Sequence, residues 1–125
     1  MIPSPAVFSA SGSATTSATV SATLANDGAT FWFCSGFEIT AGGATAGGVV
    51  NATLAGLLGG TITYKFPVPT GVTVAAAPLV VEFTPALAAA TASSDIVLTL
   101  AATGAGNTGA AVALHGYKGS RQLNA

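Results

Sequence analysis

The chain has 125 residues, of which 70 are Ala, Gly, Ser or Thr and only seven carry a formal charge, for a net charge of −1. Three cations cannot neutralise a run of phosphates, which excludes nucleic acid as a partner. A mean hydropathy of +0.68 excludes a disordered tail, and the lone Cys34 excludes an intrachain disulfide.

The chain length fits one domain. Residues 1–16 are rich in Ser, Pro and Ala and read as an N-terminal arm or a first edge strand. The opening Met1-Ile2-Pro3-Ser4-Pro5 lacks the basic and apolar regions of a signal peptide. From residue 17 on, the hydrophobic period is two. Val20, Ala22 and Leu24 alternate with Thr19, Ser21 and Thr23, the pattern of a half-buried strand. Asn26-Asp27-Gly28 is a tight-turn signal. In residues 30–40, Phe31, Phe33, Phe37 and Ile39 share one parity, and Trp32, Cys34, Gly36 and Glu38 share the other. This is the most aromatic strand, and cover on both faces is expected at its start.

Residues 41–48 hold four glycines and read as a loop. Val50, Ala52 and Leu54 alternate next, and Gly59-Gly60 has the composition of a two-residue hairpin turn. Ile62, Tyr64 and Phe66 point inward from residues 61–66. Pro67 and Pro69 cannot donate to a ladder, so this stretch is expected at a turn or an edge. Residues 71–74 and 79–83 read as short strands, the second ended by Thr84-Pro85. Residues 86–92 read as a loop or a single helical turn. Ile96, Leu98 and Leu100 line one face of residues 94–100. Gly104-Ala105-Gly106-Asn107 is a turn, and residues 110–117 give a last strand with Val112 and Leu114 inward. Residues 118–125 read as a flexible tail.

These elements predict an all-β chain, a single antiparallel β-sandwich of about eight strands with a jelly-roll arrangement. The domain runs from 17 to 117. Thr, Ser and Gly interrupt every apolar run, so no membrane partner is expected.

Few residues offer chemistry. His115, on the parity opposite Val112 and Leu114, is a potential general base or metal ligand. No His, Cys or Asp stands nearby at ligand spacing, so the simpler reading is a histidine facing solvent or an interface. There it would be placed to sense pH. Cys34 with His115 is a conceivable nucleophile pair, but a free cysteine is more often a small buried hydrophobe. Glu38 and Glu82 have the residue types of a glycosidase pair, or of surface carboxylates salt-bridged to Lys65. The glycine loop at 41–48 lacks the lysine and the helix of a phosphate cradle. Asn51-Ala52-Thr53 matches a glycosylation sequon without an accompanying secretory signal. Trp32 and Tyr64 are candidates to stack on sugars, and also to pack in a core or an interface. No catalytic, metal or cofactor site is assigned, no cofactor is expected, and no enzyme is expected. Trp32, Tyr64, Tyr117 and His115 are the candidate contact residues.

A sheet protein with so few charges lacks the usual defence against edge-to-edge association. Much of its surface is therefore expected to be covered by its own copies or by a larger assembly. The run Phe37-Glu38-Ile39-Thr40-Ala41-Gly42-Gly43-Ala44-Thr45-Ala46-Gly47-Gly48-Val49-Val50, then Leu54-Ala55-Gly56-Leu57-Leu58-Gly59-Gly60-Thr61, is followed later by Gly104-Ala105-Gly106-Asn107-Thr108, Ala110-Ala111-Val112 and Gly116-Tyr117. Across residues 15–118 this phrasing resembles the small Ala/Gly/Thr-rich β-sandwich structural proteins of tailed bacteriophages, of head decoration (cement) or fibre and spike type. The resemblance implies a virion protein made in the host cytoplasm, a homo-oligomer with a trimer favoured, and docking on the major capsid protein or another virion protein. It carries over no functional residue. The alternative it leaves open is a receptor- or carbohydrate-binding module of a fibre or spike, with Trp32, Tyr64, Tyr117, Asp27 and Asn107 as contacts.

Overall fold

The structure, a computed structural model, describes residues 7–42, 45, 48–68, 79–106 and 109–119. Eight strands appear in chain order: β1 (Phe8–Ala14), β2 (Val20–Leu24), β3 (Phe31–Thr40), β4 (Gly48–Ala55), β5 (Ile62–Val68), β6 (Leu79–Ala88), β7 (Ile96–Leu100) and β8 (Ala110–Gly119). No helix occurs among the described residues. The chain doubles back at the β4–β5 connection. β5 then pairs with β4, β6 with β3, β7 with β2 and β8 with β1, every pair antiparallel. The two sheets have the orders β1-β8-β3-β6 and β2-β7-β4-β5. A folded-over hairpin rolled into two four-stranded sheets is a jelly roll.

The core lies between the sheets. Val20, Ala22, Leu24, Ile96, Leu98, Leu100, Ala52, Leu54, Phe66 and Val68 come from one sheet. Trp32, Cys34, Phe37, Ile39, Ala110, Val112 and Leu114 come from the other. Period-two alternation places the core residues of β2, β4, β5, β7 and β8, because successive side chains leave opposite faces of a strand. Each buried Leu or Ile stabilises the fold by roughly 1.5–3 kcal/mol. Phe37 packs across the layers, its ring 5.2 Å from that of Tyr64 at 71°.

Strand β3 departs from the single parity expected of it. Trp32 and Cys34 face the core, and so do Phe37 and Ile39. The switch occurs at Ser35. Cys34 is opposite Gly116 of β8, and Gly36 is opposite the very next residue, His115. One extra residue on β3 is a β-bulge, and it exchanges the two faces beyond it. Before the bulge Phe33 is buried on the outer face, so the start of β3 is covered on both sides. At the bulge β3 also approaches β6 closely. A Cβ on Gly36 would lie 2.5 Å from the Val81 carbonyl oxygen.

Strand β6 does not end at Thr84-Pro85. It pairs with β3 as far as Glu82, leaves the ladder over 83–86, and rejoins it with Leu87 opposite Cys34. The Thr84–Pro85 peptide is cis. Proline is tolerated here because β6 is an edge strand and Pro85 lies in the excursion, where no ladder donor is needed. Residues 86–88 are therefore strand rather than loop.

The β4–β5 connection is longer than a two-residue hairpin. Leu57 to Gly60 forms a turn, with the Gly60 amide donating to the Leu57 carbonyl at 3.0 Å. Leu57 bridges to Ala89 and sits in the core. Gly56 enters this connection at φ +89°, and a Cβ there would lie 1.8 Å from the Asp95 carbonyl oxygen. Both the conformation and the space require glycine.

The N-terminal segment is an edge strand from Phe8 to Ala14, and β8 runs to Gly119, two residues into the expected tail. The strand expected at 71–74, the remainder of the tail, and Asn107 lie outside the described residues.

Gly36→Ala is expected to lower stability by about 1–3 kcal/mol, because its neighbour is backbone and cannot move aside freely. Gly42→Ala, which meets nothing within 4 Å, should stay within about 0.5 kcal/mol of the parent. Urea midpoints of the two variants check this.

Candidate functional site

The chemistry collects on the outer face of the β1-β8-β3-β6 sheet. Strand pairing brings Ser9 of β1 opposite His115 of β8, and His115 opposite Gly36 of β3. Gly36 has no side chain, so the imidazole can extend over β3. Glu38 lies two residues further along the same strand. The bulge at Ser35 has turned Glu38 outward, away from the core. The result is a connected row across three strands. His115 Nδ1 is 2.9 Å from Ser9 Oγ, and His115 Nε2 contacts Glu38 Oε1. The imidazole is 28% exposed and the carboxylate 43%. A carboxylate of this kind only accepts hydrogen bonds.

A groove of about 410 Å³ opens beside this row, lined by Glu38, Glu82 and His115 and by the apolar Val7 and Val80 among others. Val80 is 57% exposed. Glu38 and Glu82 thus do share a site, but Lys65 has no part in it. Lys65 lies on the other sheet and donates to Asn51 Oδ1 at 2.7 Å. That contact engages the sequon asparagine in the centre of its sheet.

Cys34 and His115 leave β3 and β8 on opposite faces, so they cannot act as a nucleophile and its base. Cys34 is fully buried, and burial pushes its thiol pKa up to about 11. Trp32 is 5% exposed, and its indole N–H donates to the Ala25 carbonyl at 2.7 Å. It is a core residue rather than a contact platform. Tyr64 is half-buried against Phe37, and burial raises its hydroxyl pKa. Tyr117 lies on the outer face with one side of its ring stacked on Phe33 at 5.4 Å.

The remaining charges among the described residues serve turns and strand ends. Asp27 caps its own turn, accepting from the Ala29 and Thr30 amides at 2.9 and 2.8 Å and from the Thr30 hydroxyl. These amides hold its carboxyl well below the usual carboxylate range. Lys118 donates to Asp27 at 3.3 Å and stands 5.1 Å from the Trp32 ring centroid. Asp95 accepts from the Asn26 amide and side chain, which also lowers its pKa. Among the described residues, no group of three His, Cys, Asp or Glu side chains is placed to hold a metal ion.

Ser9 is the residue that sequence reasoning misses. It lies in the Ser/Pro/Ala-rich N-terminal stretch, 106 positions from its partner. The one available signal was that an N-terminal edge strand would pair somewhere. Comparison with protein-family models, with curated proteins and with solved structures gives no match.

Cys34 is expected to react with a thiol reagent such as dithionitrobenzoate at least 100-fold more slowly in the native protein than in urea, because a raised pKa and full burial both suppress the thiolate. Absorbance of the released chromophore gives both rates.

Proposed function

We propose that this chain is a virion structural protein, a jelly roll that docks on an assembled capsid and stabilises it. The observation that carries this reading is the way the surface charge is used. Asp27, Glu38, Lys65, Asp95 and Lys118 are each held by partners within the chain. Rows of small and hydroxylated side chains run along both outer faces. The row Ser21–Thr99–Thr53–Thr63 crosses all four strands of one sheet. Ser9, Ser11 and Ser13 line the edge of the other, beside Ala111 and Ala113. Such faces lose little solvation of charge when another protein covers them. A partner that binds only the assembled lattice stabilises it by mass action.

A glycan-binding tip is the second reading, and the same geometry favours it less. Stacking on a sugar requires open ring faces, whereas Trp32 is core and Tyr64 packs against Phe37. Virions stripped of the protein should lose shell integrity several degrees lower on heating, and adding it back should restore the melting point. An unchanged melting point would defeat the cement reading.

A further inference from the structure

We propose that Ser9 is an activated nucleophile, a site that accepts an acyl group from esters with a good leaving group. What each atom can donate or accept fixes the protons along the row Ser9–His115–Glu38. An ionised carboxylate can only accept, so the His115 nitrogen that meets Glu38 Oε1, Nε2, carries a hydrogen. In the neutral ring, Nδ1 then has a free lone pair. Its neighbour at 2.9 Å is the Ser9 hydroxyl, which must be the donor. The hydroxyl proton thus already points at the base that would remove it, and the base is oriented by a third group. This is the arrangement that activates a serine, and it is recognised by geometry rather than by order in the sequence. The nitrogens have exchanged roles relative to the commoner arrangement, in which the serine meets Nε2. The proton transfer is equivalent from either nitrogen.

Access and a place for the reagent are both present. Ser9 is exposed on the edge strand. The exposed apolar side chains of the adjoining groove, Val7 and Val80, can take a hydrophobic acyl or aryl group. In the reaction, Ser9 Oγ attacks the ester carbonyl carbon and forms the new C–O bond. The hydroxyl proton passes to Nδ1, and Glu38 stabilises the imidazolium that results. The bond to the leaving aryloxide breaks with its electron pair, and the aryloxide takes the proton from Nδ1. The products are O-acyl Ser9 and a free phenol, with His115 neutral again. Ser11 and Ser13 share the strand and its outward face but stand opposite Ala113 and Ala111, so they have no such base.

The test uses the full chain and p-nitrophenyl acetate at neutral pH, followed by peptide mapping of the acetylated sites over time. Ser9 is expected to acetylate at least about 100-fold faster than Ser11 or Ser13, the lower end of what a positioned general base supplies. His115→Gln should remove that advantage, and Glu38→Gln should reduce it. Both variants replace side chains on an outer face, and an unchanged circular dichroism spectrum verifies their fold. Equal acetylation of the three serines would overturn the proposal. So would a Ser9 rate that survives His115→Gln in a folded protein.

Discussion

One extra residue in one strand governs both halves of this molecule. Strand β3 runs through the middle of its sheet, between β8 and β6. Without the bulge at Ser35, its apolar residues would divide between the two faces. Trp32 and Cys34 would enter the core while Phe37 and Ile39 faced solvent, and Glu38 would take the buried position. An unpaired carboxylate there would cost several kcal/mol or force its protonation. The bulge keeps Trp32, Cys34, Phe37 and Ile39 on the inner face and delivers Glu38 to the outer face beside His115. The core and the polar row therefore share one local cause.

The glycines at this point follow from the same constraint. Gly36 gives the backbone of β6 room to approach and leaves His115 a clear path across the strand. On the far side of the sheet, Gly12 lets β1 approach β2, where a Cβ would lie 2.2 Å from the Ser21 carbonyl oxygen. The edge strand that carries Ser9 is thus held down by backbone proximity and by Phe8, whose ring meets Trp32 edge-on at 5.4 Å. With most of the charges among its described residues paired within the chain, the sandwich presents rows of small and hydroxylated side chains to its surroundings.

The sequence made the architecture legible wherever alternation was undisturbed. Strands β2, β4, β5, β7 and β8 each carry three or more apolar residues at period two, and their buried faces are the ones that alternation assigns. It failed where the backbone inserts residues. A period-two count along β3 cannot detect an extra residue, because Phe31, Phe33, Phe37 and Ile39 keep odd numbers on both sides of it. In β6 a proline that forbids a central strand is permitted in an edge-strand excursion. The candidate site was legible only in part. Parity alone placed His115 outside, but its partners come from strands 106 and 77 positions away in sequence. Trp32 was ambiguous because an aromatic strand covered on both faces offers no polar side to mark the exterior.

The most direct test of the central claim reads the two faces of β3 beyond the bulge, by the reaction of dithionitrobenzoate with the folded variants Phe37→Cys and Glu38→Cys. The bulge places position 37 in the core and position 38 on the outer face, while the native Cys34 thiol is buried and slow. A fast-reacting thiol in Glu38→Cys and a slow one in Phe37→Cys, each with the parental circular dichroism spectrum, is the expected result. The reverse order, which unbroken alternation from Cys34 would give, would contradict the account.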